Sequence, residues 1–262
     1  MARKFPRFSK RGVIAVIPFS GTLSMRSVEP YIDIIERVEK MRKVKGVILK
    51  LSSQGGGITA TEVLYMALLR LKEKKRLFVW TTMAASGGYY AASAAEKIFA
   101  PPSAIIGSIG VISLKPVISG VMKKLGLKVE VIKEGKLKDE SLFFKESTEE
   151  GKKRIKAINR EIYDDFIEVV SKGRGLDKNG VKKAATGEIF TAKRGLELGL
   201  VDSLCDFRGA KEALAKEVGV HPEKVIYMRP KKPLLSSLVE RGVTFGLLNF
   251  FEDLFMPETH YY

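Results

Sequence analysis

The feature that most constrains this chain is an alternation that begins near its start. Short runs of branched apolar residues, "VIAVI" (13–17), "GVILKLS" (46–52) and "RLFVWTT" (76–82), are separated by stretches with helical periodicity. Between the first two runs, "VEPYIDIIERVEKMRKV" (28–44) places Ile32, Ile35, Val38 and Met41 three residues apart, which predicts a helix. Between the second and third, Gly55, Gly56 and Gly57 precede a helical pattern from about Thr59 to Lys75. The third run leads into a helix holding Tyr89 to Glu96, and "KIFAPP" and "GLKVEVIK" read as further short strands. Strand, turn and helix in repetition mean βαβ units with right-handed crossovers and a mainly parallel sheet, an α/β fold.

Further along, Ile155, Ile158, Ile162, Phe166 and Val169 recur at helical spacing and predict one long amphipathic helix over 146–173. "GRGLDKNGVKKAATGEIFTAKRGLELGLVDSL" then carries turn, helix, loop, helix and a last strand. The expected organisation is a basic segment over 1–11, a body over 12–228, and a linker with an apolar tail over 229–262, "RPKKP" marking the joint.

Composition narrows the chemistry. A chain of 262 residues, 45% hydrophobic, can bury one large α/β core or two small ones. The single cysteine, Cys205, excludes an intramolecular disulfide framework, and His221 and His260 are too few for a multi-histidine zinc site. No metal and no cofactor is expected. The net charge of +16, with Arg3, Lys4, Arg7, Lys10 and Arg11 clustered at the start, draws a protein to anionic surfaces in general. No helix-turn-helix, zinc-finger or RNA-recognition signature accompanies it, so no nucleic-acid partner is expected. No stretch reaches the ~18–20 apolar residues of a spanning helix, and "GVIAVIPF" lacks a signal-peptide cleavage site. The expected location is cytoplasmic or at a membrane surface.

The stretch that raises a functional question is "FVWTTMAASGGYYAASAAEKIFA" (78–100), where Ser86 stands at the join of strand and helix among small residues. A nucleophilic serine needs an exposed hydroxyl and an oxyanion site, and such a corner supplies both through the unbonded N–H groups of the helix start. The N–H of Gly87 is one candidate donor. "SSQGGG" (52–57) also follows a strand and precedes a helix, so neighbouring parallel strands would bring both loops to one sheet edge. An N–H of Gly55 or Gly56 is then the candidate second donor. The triplet is not a P-loop, because the Gly-Lys-Ser/Thr ending is missing. With histidine scarce, lysine is the natural base, since burial can make its amine a proton acceptor. The chain has too many lysines for chemistry alone to select one.

At these residues the chain resembles the signal peptide peptidase A family, membrane-associated serine-lysine peptidases on a crotonase- and Clp-protease-like fold. The resemblance spans roughly 12–230 and rests on "SSQGGG", "ASGGYYAASAAEKIFAPPSAIIGSIGVI", "GKLKDE" and "SKGRGL…TGEIFTAKRGLELGLVDSL". It implies Ser86 as nucleophile, Lys138 as general base with Lys136 as the neighbour to confuse with it, and Ser108 as the residue orienting the amine. It also implies Gly87 with Gly56 or Gly55 as oxyanion donors. One departure is Gln54, where the family usually has proline; proline would fix the local φ, and glutamine leaves it freer. A second is the missing N-terminal membrane span that many members have. The implied function is a serine endopeptidase cleaving hydrophobic peptides, such as remnant signal peptides, near a membrane. The implied assembly is a homo-oligomeric ring or dome whose dyad can be completed between protomers. Two alternatives stand beside it: a crotonase-type acyl-CoA enzyme and a non-catalytic membrane-associated scaffold.

The tail "PLLSSLVERGVTFGLLNFFEDLFMPETHYY" sets Leu234, Leu238, Phe245, Leu248, Phe251 and Phe255 roughly on one face of an expected tail helix, which Gly242 and Gly246 weaken. It could pack on the body or a neighbour, lie in a membrane interface, or reach into a neighbouring active site.

Overall fold

The computed structural model describes residues 12–230; the basic start and the apolar tail, with its expected helix, lie outside the described residues. The chain divides into Met1–Met228 and Arg229–Tyr262, and every element below belongs to the first unit. In chain order these are β1 (Val13–Ser20), α1 (Met25–Lys40), β2 (Val44–Ser53), α2 (Ile58–Lys74), β3 (Arg76–Ala85), α3 (Gly87–Ala92), β4 (Lys97–Ala100) and β5 (Ile105–Gly107). There follow α4 (Ser119–Lys124), α5 (Glu149–Arg174), α6 (Lys178–Ala184), β6 (Ile189–Thr191), α7 (Ala192–Glu197), β7 (Ser203–Leu204), α8 (Phe207–Val218) and β8 (Val225–Tyr227).

The expected mainly parallel sheet is present. Its spine runs β6-β5-β3-β2-β1-β8, with β4 beside β3 and β7 beside β4. Only the β5–β6 pairing is antiparallel among the described strands. β3 is the branch point: its first half pairs with β4 (Phe78↔Lys97) and its last residues with β5 (Ala85↔Gly107). An extra residue, Thr82, sits in β3 where the β2 register jumps from Leu51↔Thr81 to Ser52↔Met83. Such a bulge twists a strand and re-aims its end, and this one lies just before Ser86.

Strands covered on both faces bury alternate residues on opposite sides. In β1, Ala15, Ile17 and Phe19 join the larger core under α1, α2 and α3, while Ile14 and Val16 join Phe78, Trp80 and Leu214 under α8. Helix α1 starts three residues earlier than its periodicity predicts because Ser24 and Ser27 form a reciprocal capping box, each backbone N–H donating to the other's Oγ. It ends at Lys40, and Val44, expected within the helix, opens β2. Helix α3 is shorter than expected: Glu96 lies beyond it and instead accepts the N–H of Leu77 at 2.9 Å.

Two findings correct the sequence reading. "GLKVEVIK" forms no strand, because residues 126–133 have no ladder partner among the described residues; Val129 and Ile132 are left exposed. β-propensity describes fitness for a pleated, half-buried surface, and here no surface covers the segment. In α5, Phe166, Ile167, Val169 and Val170 are buried, but Ile155 and Ile158 of the same amphipathic face are 41% and 51% exposed.

Candidate active site

Ser86 stands between the end of β3 and the start of α3 with φ 50° and ψ −124°, a backbone geometry that costs a non-glycine residue about 1–3 kcal/mol. Its surroundings hold it there. The Ser86 N–H donates to the Gly107 carbonyl at 2.8 Å, and its own carbonyl accepts from the N–H groups of Tyr89 (2.9 Å) and Tyr90 (3.0 Å). Its hydroxyl makes no capping bond to the helix. Ser108 shares this property: at φ 50° it is the only other non-glycine residue with positive φ among the described residues. Its N–H donates to the Glu188 carbonyl at 2.7 Å. The two strained serines follow the paired residues Ala85 and Gly107, so adjacent strand ends present both.

The glycine loop after β2 presses against this corner. A Cβ on Gly55 would come within 2.7 Å of the Gly87 nitrogen and 2.9 Å of the Ser86 Cβ, and φ there is 102°, so only glycine fits. The three loop amides have different fates. Gly55 N–H donates to Ser53 Oγ at 3.1 Å, and Gly57 N–H donates to the Leu23 carbonyl at 2.8 Å. The Leu23 N–H in turn donates to the Gly55 carbonyl at 2.9 Å, which locks the loop on the segment before α1. The Gly56 N–H has no hydrogen-bond acceptor among the described residues, and Gly56 and Gly87 line one cleft together with Ser86. Gln54, at the family's proline position, donates from Nε2 to Thr22 Oγ1 at 2.6 Å. A side-chain tether thus does what a fixed φ would have done for loop order.

A second hollow shares Ser86 and Gly56 and extends to Ser108, Tyr163 and Thr186. Neither hollow has a lysine, arginine or histidine in its lining. The structure therefore brings together Ser86, Ser108, Gly56 and Gly87, places Gly55 behind them with its amide engaged, and leaves Lys138 out of the walls. Lys138 lies exposed in a turn, its N–H donating to the Gly135 carbonyl at 3.2 Å. That turn is pinned by its buried neighbour Asp139, whose carboxylate accepts from Lys133 at 2.5 Å and Lys145 at 2.8 Å. These hydrogen bonds, Lys133 first, hold the Asp139 carboxyl down to about 2. Lys136, the other lysine of "GKLKD", pairs with Glu150.

Comparison with known proteins identifies the family. Residues 69–221, more than half the chain, match the description of Peptidase family S49. The chain belongs to peptidase family S49. A Synechocystis protein named as a protease is 32% identical over 233 residues, covering 88% of this chain and 84% of its own length. An Enterococcus faecium protein named for signal peptide peptidase SppA is 34% identical, covering 82% of this chain and 64% of the relative. A Methanocaldococcus jannaschii protein named as a protease is 36% identical, again over 64% of the relative's length. The chain thus spans just under two thirds of the last two. A solved structure of the membrane-bound stomatin-specific protease 1510-N, a serine-to-alanine mutant, matches with a TM-score of 0.54 at 14% identity, covering 85% of this chain and 100% of that chain. That likeness is one of fold, of the Clp-protease-like type. Among the described residues, no helix is long and apolar enough to cross a membrane.

Within this S49 member, sequence reading missed the rest of the cleft wall. Ile58 and Glu62 come from α2, Tyr90 from α3, and Ile162, Asp165 and Phe166 from α5. The signal that pointed nearest was the amphipathic stripe of α5, which marked Ile162 and Phe166 as one apolar helix face and not as a cleft wall.

Proposed function

We propose that the chain is a serine endopeptidase in which Ser86 attacks a peptide carbonyl, the Gly56 and Gly87 amides hold the oxyanion, and Lys138 of a neighbouring copy is the base. The observation that carries the reading is the strained Ser86 facing one cleft with two backbone amides, an arrangement worth keeping under strain only if the hydroxyl must be presented. Lys138 takes the Ser86 proton as the hydroxyl oxygen adds to the carbonyl, the tetrahedral intermediate collapses to an acyl-enzyme as the lysine returns that proton to the leaving amine, and a lysine-activated water hydrolyses the ester. Ser108, at the rim of the second hollow, orients the amine.

Exposed apolar residues near the lysine support delivery of the base from another copy. In the arm, residues 114–132, helix α4 buries no residue, and Leu114, Leu125 and Ile132 are 74%, 68% and 94% exposed. Ile155 and Ile158 of α5 are exposed as well, and this much uncovered apolar area suits a second copy better than water. Packing there would also desolvate the lysine that the arm leads to, as a lysine base requires. The apolar residues around Ser86 suit extended hydrophobic peptides, remnant signal peptides among them, and a membrane-bound relative of the same fold fits work near a bilayer.

The test is fluorophosphonate labelling and hydrolysis of a fluorogenic apolar peptide by the wild type, Ser86→Ala, Lys138→Ala and a mixture of the two variants. Both variants are expected to lose hydrolysis, Ser86→Ala to lose labelling, and the mixture to regain part of the activity. The wild-type rate is expected to rise with pH, since only the neutral amine accepts a proton. A Ser86→Ala protein that still turns over acyl-CoA would point to the crotonase-type reading. A wild type that neither labels nor cleaves would point to a scaffold.

A further inference from the structure

The cleft beside Ser86 has a charge that the rest of the molecule does not predict. The chain carries 46 lysine and arginine residues and a net charge of +16, yet the charged residues lining this cleft are Glu62 and Asp165. They stand on different elements, α2 and α5, and neither has an ion-pair partner among the described residues, whereas Asp164 next to one of them pairs with Arg160. Both act on Tyr90 of α3, whose phenol is pushed up to about 12, first by burial and then by the negative charge of Glu62, with Tyr65 and Asp165 adding to it. The remaining wall is apolar, from Ile112, Ile162 and Phe166. Thr61 lines the same wall at 3% exposure with its hydroxyl unpartnered, packed so closely on Gly87 that a Cβ there would lie 2.3 Å from Oγ1. A largely apolar cleft whose charged lining is two carboxylates without ion-pair partners is complementary to one kind of side chain: a long aliphatic stem with a cationic tip.

We propose that this cleft receives the side chain of the residue whose carbonyl Ser86 attacks, and that Glu62 and Asp165 select lysine or arginine there. The proposal rests on the reading of Ser86, Gly56 and Gly87 given above. With the carbonyl oxygen on those two amides, the adjoining Cα lies at the mouth of the cleft they line, and its side chain has the cleft to enter. The stem packs on Ile162 and Phe166, and the ammonium or guanidinium sits between the carboxylates over the Tyr90 ring. Substrates are then apolar peptides cut after a basic residue.

The experiment compares four fluorogenic peptides identical except at the residue before the cleaved bond: lysine, arginine, norleucine and glutamate. Norleucine keeps the lysine stem and lacks the amine, so the lysine-to-norleucine ratio of kcat/KM isolates the charge within one enzyme preparation and cancels any partial loss of fold. Two exposed carboxylates acting together are expected to give a ratio of up to about ten, smaller at high salt. Glu62→Gln with Asp165→Asn is expected to bring the ratio close to one, and Glu62→Lys to raise the relative rate on glutamate. A wild-type ratio of one or below, or a ratio that the double variant leaves in place, overturns the proposal while cleavage of norleucine peptides and labelling of Ser86 leave the peptidase reading standing. Failure of every peptide together with absence of labelling removes both.

Discussion

The sharpest perturbation of the site is the addition of one methyl group to the glycine loop. A Cβ on Gly56 would lie 2.1 Å from the Leu23 carbonyl oxygen, 2.7 Å from its nitrogen and 2.8 Å from its carbonyl carbon. All three are backbone atoms and cannot rotate away as a side chain could. The loop or the Leu23 segment must shift, and with it the two backbone bonds that join them, Leu23 N–H to Gly55 carbonyl and Gly57 N–H to Leu23 carbonyl. Losing both is worth about 1–3 kcal/mol of stability. Any shift also carries the Gly56 amide off the oxyanion position proposed for it, and loss of one such donor costs roughly 10²–10³ in kcat. Gly57→Ala is the matched comparison: its Cβ would meet the same oxygen at 3.7 Å, an ordinary contact, and its cost is confined to a poorer α2 cap, about 0.5–1 kcal/mol. Peptide hydrolysis and thermal unfolding of both variants check this. Gly56→Ala is expected to unfold several degrees lower and to lose at least a hundredfold in kcat, while Gly57→Ala stays within a few-fold of wild type. Equal activity of Gly56→Ala and wild type, or equal damage from both, would refute the assignment of the Gly56 amide.

The backbone of Ser86 at φ 50° and ψ −124° favours glycine, so Ser86→Gly is expected to exceed Ser86→Ala in stability by about 1 kcal/mol, read from paired denaturation curves; equal stability would mean the strain is not there. The Asp139 carboxyl is depressed from 3.8 to about 2, so its contribution is complete above the unfolded value and is lost as pH falls through the folded one. Amide exchange over 133–145 is expected to stay slow at pH 4 and to quicken towards pH 2, and Asp139→Asn to show the fast pattern at neutral pH. Ile155→Glu with Ile158→Glu changes residues 41% and 51% exposed in one copy, so unfolding of the protomer is expected to move little. Gel filtration is expected to show a smaller particle; an unchanged oligomer would place the copy-to-copy contact elsewhere.

How much of this could be read in the sequence follows from how local each cause is. The first three strands and the two helices between them are set by periodicity within their own residues, and they stand within a few residues of expectation. The elbow was legible for the same reason, because "AASGG" combines a polar side chain with the only residues small enough for two loops to meet there. The boundaries that moved, at Ser24 and Glu96, depend on side chains reaching backbone across a turn or a strand.

What was not legible depends on partners distant in sequence or absent from the protomer. Thr61, Glu62, Tyr90 and Asp165 share a cleft only because α2, α3 and α5 converge on one strand end. "GLKVEVIK" has strand-forming residues, yet hydrogen-bonded pairing needs a second edge, and the described residues offer it none. The same absence explains the half-buried stripe of α5 and the exposed turn of Lys138. A residue pattern records which faces want burial; it does not record whether the covering surface belongs to the same chain. Three features, a strand-like run without a ladder partner among the described residues, a bare helical stripe and a lysine turn outside the cleft, would all follow from the neighbouring copy proposed above as the source of the base.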